Sequence, residues 1–220
     1  GAIAWNWNFG NLNTSTLQVP PAQNYTTAGV YTISLAVTGT NTCMRTSTAS
    51  LVVYPTPTAN FNPTIACLGI AVNFTNTSTI TGTNPIISYT WNLGDGSPNQ
   101  FIQNAVNTYT AAGNYTVDLT VSSAFCIASI SKTLTINIQP TANFTMSPNA
   151  GCSQLAVSFT NNSSNGSTYL WNFGTTPTNT SNLVTPNFTY TNNLLVNQVF
   201  TITLVTTSSV GCVDSIKRSV

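Results

Sequence analysis

WNLGDG at residues 91–96 recurs in shortened form as WNFG at 7–10 and again as WNFG at 171–174. Read as chemistry, it is a glycine-rich loop with one carboxylate. Read as architecture, it is a strand end and a turn that each copy of a repeated unit needs. What recurs decides between the two. Trp, Asn and Gly stand in all three copies, whereas the position of Asp95 is Asn11 in the first and Thr175 in the third.

Longer segments recur around this motif. QNYTTAGVYTISLAV (23–37), NTYTAAGNYTVDLTV (107–121) and the looser NFTYTNNLLVNQVFTITLV (187–205) are versions of one segment. PTANFNPTIACLGIAVNFTNTS (57–78) and PTANFTMSPNAGCSQLAVSFTNNSS (141–164) are versions of another. Their spacing, about 80 to 86 residues, exceeds solenoid periods and suits independently folded beads in a tandem array. Because PTANF opens a repeat, residues 1–54 read as a partial repeat lacking its first strands, 55–138 as a complete repeat and 139–220 as a third. A bead short of two strands exposes sheet edge and core. Such a bead is expected to belong to a longer repetitive chain, or to be completed by a strand from a neighbour.

Alternation places the strands. Tyr115, Val117, Leu119 and Val121 share one face, and Thr116, Asp118 and Thr120 the other. Tyr31, Ile33, Leu35 and Val37 repeat that face in the first copy, and Phe200, Ile202 and Leu204 in the third. Val72 and Phe74 match Val157 and Phe159, and Ala59 and Phe61 match Ala142 and Phe144. About seven short strands per repeat, apolar inward and Thr or Asn outward, read as an all-β antiparallel sandwich.

Composition narrows the function. The 220 residues carry four basic and three acidic side chains, no histidine, and a net charge of +1. Asn and Thr make up roughly a third of the chain, where charged residues make up about a quarter of an ordinary domain. The surface is therefore neutral and rich in hydroxyls and amides, so it has few charge pairs for salt to screen. Arg45, Lys132, Lys217 and Arg218 are too few and scattered to displace counterions from phosphates, which excludes nucleic acid. No run approaches the roughly 18 apolar residues of a spanning helix, so no membrane span is expected in this segment.

WNLGDG followed by NTYTAAGNYTVDLTV resembles the PKD repeat, whose signature runs close to WDFGDG, then HTYxxxGxYTVxLxV. The resemblance covers all three repeats, with departures: Asn8, Asn92 and Asn172 stand at the first aspartate, and GDG occurs once. The resemblance implies tandem immunoglobulin-like sandwiches of an extracellular, cell-surface protein. With cysteines before the second strand and after the sixth, the pattern is similar to repeats of large surface adhesins and filament proteins of gliding, Bacteroidota-type bacteria.

Each candidate site has a structural alternative. Asp95 is the one candidate metal ligand, but calcium takes six to eight oxygens and no second acid lies nearby in sequence. A turn in which Gly94 and Gly96 supply positive φ and Asp95 accepts backbone N–H bonds is the expectation; no cofactor is expected. Trp7, Trp91 and Trp171 could stack on sugars, yet one tryptophan at the same strand position is the core anchor of such sandwiches. Trp5 lies on the same side as Trp7, where Tyr89 and Tyr169 occupy the aligned place. Tyr25, Tyr109 and Tyr190 precede the sixth strand, where a hydroxyl ties down a corner. Without histidine or a close carboxylate pair, an enzyme is not expected.

Cys67 and Cys152 precede the second strand of their repeats; Cys43, Cys126 and Cys212 follow the sixth. Paired use of this kind implies an oxidising, extracellular setting. The simple pairing lies within repeats, Cys67–Cys126 and Cys152–Cys212. The immunoglobulin-like topology that the resemblance implies points elsewhere. It puts the two cysteines of a repeat at opposite ends of a strand of about eight residues, roughly 27 Å. A disulfide tolerates about 7 Å between Cα atoms. Cys67 would then bond Cys212 across a junction, Cys43 and Cys126 would reach upstream, and Cys152 downstream. Proline in the linkers at 55–57 and 139–141 already limits bending.

The expectation is a structural or adhesive segment of a long secreted surface protein, forming a stiff stalk or filament. Its partners would be neighbouring repeats, further copies in a homo-oligomer or filament, and surface glycans. The alternative is a glycan-binding accessory module of a secreted hydrolase.

Overall fold

The computed structural model describes residues 1–175, 177–194 and 196–220, and all regular structure among them is strand. The first repeat is one antiparallel sheet in the order β2-β1-β3-β4, built from β1 (Ala2–Asn8), β2 (Thr14–Ser15), β3 (Gly29–Gly39) and β4 (Met44–Val53).

The second repeat has seven strands: β5 (Phe61–Asn62), β6 (Ile65–Cys67), β7 (Ala71–Asn76), β8 (Ser88–Asn92), β9 (Ala105–Thr108), β10 (Gly113–Ser122) and β11 (Ile127–Asn137). They form two sheets, β5-β7-β9 and β6-β11-β10-β8. The third repeat also has seven strands, β12 (Phe144–Ser147), β13 (Leu155–Asn161), β14 (Thr168–Asn172), β15 (Thr180–Ser181), β16 (Asn187–Tyr190), β17 (Thr201–Thr207) and β18 (Val213–Ser219), but β15 pairs with the tryptophan strand β14, and among the described residues no strand stands beside β18 as β6 stands beside β11. Its sheets are β12-β13-β16 and β15-β14-β17-β18.

Period-two alternation explains the packing. In β10 the side chains of Val117, Leu119 and Val121 are fully buried, and between them Asp118 and Thr120 keep access to solvent. They face Phe61, Val72, Phe74 and Ala105 from the opposite sheet, and Trp91 of β8 fills the space between. The third repeat builds the same core from Phe144, Val157, Phe159, Trp171, Ile202 and Leu204. The tryptophan sits edge-on to the first-strand phenylalanine in both, at 5.2 Å for Phe61–Trp91 and 5.1 Å for Phe144–Trp171. Buried aromatics of this size bring the largest apolar area a single residue can supply.

Two of the four cations close the sandwiches. Lys132 on β11 donates from Nζ to Asn60 Oδ1 at 2.7 Å and to the Phe61 carbonyl at 2.6 Å, and sits 4.9 Å from the Phe61 ring centroid. Arg218 on β18 does the same work in the third repeat, donating to Asn143 Oδ1 at 3.0 Å above the Phe144 ring. Each clips the last strand of one sheet to the first strand of the other. A cation above an aromatic face, with its donors satisfied, contributes about 0.5–2 kcal/mol.

The first repeat has a less sealed core than the other two, as expected of a repeat that lacks its first strands. Trp7 is partly exposed, and Ile33, Leu35 and Val37 are only partly buried, although their counterparts Val117, Leu119 and Val121 are sealed. The physical reason is that residues 1–54 contain no facing sheet equivalent to β5-β7-β9. Phe9, stacked on Trp7, is the only buried apolar side chain among the described residues of this repeat.

The turn after each tryptophan needs glycine for two separable reasons. Gly94 and Gly96 both have positive φ, 76° and 83°. A Cβ on Gly94 would also run into the Thr116 carbonyl oxygen of β10, whereas one on Gly96 meets open space. Gly96→Ala is therefore expected to cost about 1–2 kcal/mol of left-handed strain. Gly94→Ala is expected to cost more, because the neighbouring strand must shift. Midpoints of urea unfolding measure both, and equal losses would contradict this assignment.

Candidate functional site: the ends of the repeats and their junctions

The recurring motif pins each bead internally. Tyr109 donates its hydroxyl to the Leu93 carbonyl at 2.8 Å, Tyr190 to Phe173 at 3.1 Å and Tyr25 to Phe9 at 2.9 Å. The acceptor is in each case the residue two past the tryptophan. The tryptophan N–H is also spoken for: Trp7 donates to the Leu17 carbonyl, Trp91 to Ile102 and Trp171 to Leu183. Burial pushes the Tyr109 hydroxyl up to about 12, against a hydrogen bond with Asn107 that lowers it, while the Asp95 charge and Tyr115 add to the rise. Burial likewise raises Tyr190 above the ordinary tyrosine range. Both hydroxyls stay protonated at neutral pH and remain donors.

Asp95 lies in the turn as a hydrogen-bond acceptor. It receives the Ser97 backbone N–H at 3.0 Å, the Ser97 hydroxyl at 2.5 Å and the Asn107 amide at 2.7 Å. Partial burial pushes its carboxyl up, but these hydrogen bonds outweigh that and hold it below the usual carboxylate value. Asp118 accepts from the Ser131 hydroxyl, and Asp214 from the Ala142 backbone N–H. All three acids are thus bound up within their own repeats. Among the described residues, no three His, Cys, Asp or Glu side chains come together.

Trp91 and Trp171 have no exposed surface, so neither offers a ring to a sugar. A cleft runs between residues 149–153 and the ends of β17 and β18. It is lined by Cys152, Leu155, Tyr190, Phe200 and Val220 among others, without any charged side chain.

The junctions hold what the motif does not. Between the second and third repeats a disulfide joins Cys67, at the end of β6, to Cys212, with 5.8 Å between Cα atoms. The alternative pairings within a repeat are excluded by this bond. Cys43, Cys126 and Cys152 carry free thiols. Between the first and second repeats, Tyr54 and Phe125 stack at 3.6 Å between centroids with an interplanar angle of 9°. Beside them the Cys126 sulfur lies 3.8 Å from the Tyr54 carbonyl oxygen.

Three features of these ends were not visible in the sequence. The parallel pairing of β6 with β11 places Cys67 opposite Asn137, and a three-residue strand has no periodicity to read. The Tyr54–Phe125 stack joins residues far apart in sequence. Finally, each repeat exposes an apolar pair just where the tryptophan N–H is accepted: Leu17 and Val19, Phe101 and Ile102, Leu183 and Val184. Their recurrence at the same place in all three repeats was the signal that could have found them.

A sequence profile for the PKD domain matches residues 1–53 and 54–138. Among solved structures, the chain is similar to the PKD1 domain of Vibrio anguillarum Epp, with 29% identity over 38% of this chain and 95% of that one, TM-score 0.33. It is also similar to three N-terminal domains of the highly immunogenic outer capsid protein of bacteriophage RB49, with 13% identity over 98% and 85% of the two chains, TM-score 0.43. A third similarity is to a structure from a 1.5-MDa bacterial ice-binding adhesin, at 10% identity over 98% and 84%, TM-score 0.40. No helix among the described residues is long and apolar enough to cross a membrane.

The disulfide should act on the angle between beads more than on the beads themselves, since each end sits in its own sandwich. Reduction is expected to widen the distribution of maximum dimensions in small-angle scattering while leaving the strand signal in circular dichroism unchanged. Where both repeats unfold together, it should remove roughly 4–5 kcal/mol of stability on the chain-entropy account. An unchanged scattering profile after reduction would contradict a restraining role.

Proposed function

The chain belongs to the PKD domain family, and on that premise we propose that residues 1–220 are a structural segment of a long, secreted cell-surface protein, built as a stiff stalk or extracellular filament. The beads divide at 1–54, 55–138 and 139–220. The observation that carries this reading is the Cys67–Cys212 bond, which ties one bead to the next and adds a second covalent connection to a linker whose proline already limits bending. A bond of this kind holds in an oxidising, extracellular setting.

The remaining chemistry fits a non-catalytic role. The chain has no histidine, and its three acids are hydrogen-bonded within the repeats rather than poised over a cleft. A general base would have to come from these groups. The buried tryptophans favour the structural reading over a glycan-binding module.

Lateral association follows from the surface. The exposed pairs Leu17/Val19, Phe101/Ile102 and Leu183/Val184 recur once per bead, and almost no charge opposes contact between copies. A second copy offers the same pairs at the same spacing. Negative-stain images in oxidising buffer are expected to show straight three-bead rods that align side by side as concentration rises. Phe101→Asp combined with Leu183→Asp is expected to leave the rods straight and disperse them, with the sedimentation coefficient returning to the monomer value. Strongly bent particles before reduction would overturn the stalk reading. Association unchanged in the double variant would overturn the lateral contact alone.

A further inference from the structure

The disulfide does more than fix an angle between beads, because of where along the chain its two cysteines lie. Cys67 ends β6, near the start of the second repeat, and Cys212 sits in the turn between β17 and β18, near the last strand of the third. They are 145 positions apart in sequence and 5.8 Å apart at Cα. Residues 68–211 therefore form a covalently closed loop. That loop contains Val72, Phe74, Trp91 and Leu119 of one core and all the fully buried residues of the other, from Phe144 to Leu204.

Tension applied on either side of this loop has two covalent routes. The long one follows the backbone through both cores. The short one runs through residues 55–67, the S–S bond and residues 212–220. A closed loop cannot be lengthened by pulling at points outside it, since its two ends stay bonded whatever happens to the fold between them. The short route becomes taut first.

The two segments on the short route are also where charged side chains are spent. Asn60 and the Phe61 carbonyl accept from Lys132 at 2.7 and 2.6 Å. Asp214 accepts the Ala142 N–H at 2.7 Å, and Arg218 donates to Asn143 at 3.0 Å. In each pair one partner lies on the short route and the other inside the loop. Three of the seven charged residues thus fasten the taut segments to the cores they bypass.

We propose that the Cys67–Cys212 bond is an extension limiter: it carries tension past residues 68–211, so that the cores of the second and third repeats cannot be drawn out by load, and Lys132, Asp214 and Arg218 hold the two loaded segments in place. The inference deepens the stalk reading and rests on it only for the source of the tension. Stiffness concerns bending of the folded array, whereas the limiter concerns its length once folding contacts yield.

The test is single-molecule stretching of the intact chain, held by tags at its two termini, in oxidising buffer. Its final contour length is expected to fall short of that of the Cys67→Ser, Cys212→Ser double variant by 145 residue steps, roughly 480–520 Å at about 3.3–3.6 Å per residue. The unmodified chain in a dithiol reductant should match the double variant, which keeps the comparison valid if that variant folds poorly. Lys132→Met is expected to lower the force at which the oxidised chain first yields and to leave its final length unchanged. Equal final lengths for the oxidised chain and the double variant would overturn the limiter. An unchanged first yield in Lys132→Met would overturn the anchoring role. Strongly bent particles in images would sink the stalk reading but leave these lengths as they are, so the two readings fail separately.

Discussion

The length of a bead is the constraint on which the rest depends. Strand β10 runs for ten residues, roughly 33 Å of extended chain. The two cysteines of a repeat lie toward opposite ends of such strands, far beyond the reach of a disulfide. A sandwich that keeps its strands this long cannot bond its own cysteines to each other. It can only bond its neighbour, as Cys67 and Cys212 do. The core between those strands is locked by a tryptophan and a tyrosine: Trp91 is walled in between two sheets, and Tyr109 ties the corner to Leu93.

Scarce charge is used inside the beads. Lys132 and Arg218 clip the first strand of each complete sandwich to its last, and Asp95, Asp118 and Asp214 each accept hydrogen bonds from nearby strands or turns. What remains outside is mostly hydroxyl, amide and apolar groups, with Arg45 and Lys217 among them. Such a surface changes little with salt, because there are few ion pairs for salt to screen. It also lets identical copies approach without mutual repulsion, which a filament requires and an isolated soluble domain avoids.

The local parts of this architecture were legible in the sequence. Alternation from Tyr115 to Val121 gave the buried face of β10, and the recurrence of Trp, Asn and Gly separated scaffold from the single Asp95. The tyrosine hydroxyls could be assigned because each acts over a short stretch of chain. What escaped depends on residues far apart in sequence. Lys132 reaches Asn60, Cys126 reaches Tyr54, and β6 is too short to show a period. Trp7 occupies the same motif position as Trp91 and Trp171, and its partial exposure agrees with the reading of residues 1–54 as a repeat lacking the opening strands that cover the other two. The disulfide lay between what was legible and what escaped. Its candidates were plain from spacing, but two pairings stood open until the ends of the sandwiches were placed.

Peptide mapping of the oxidised chain without reduction tests this account most directly. Digestion between the beads should release one linked pair containing Cys67 and Cys212, with Cys43, Cys126 and Cys152 recovered as free thiols. A linked pair containing Cys67 and Cys126 would mean that a repeat closes on itself, and would contradict the bond between neighbouring beads on which the proposed stalk rests.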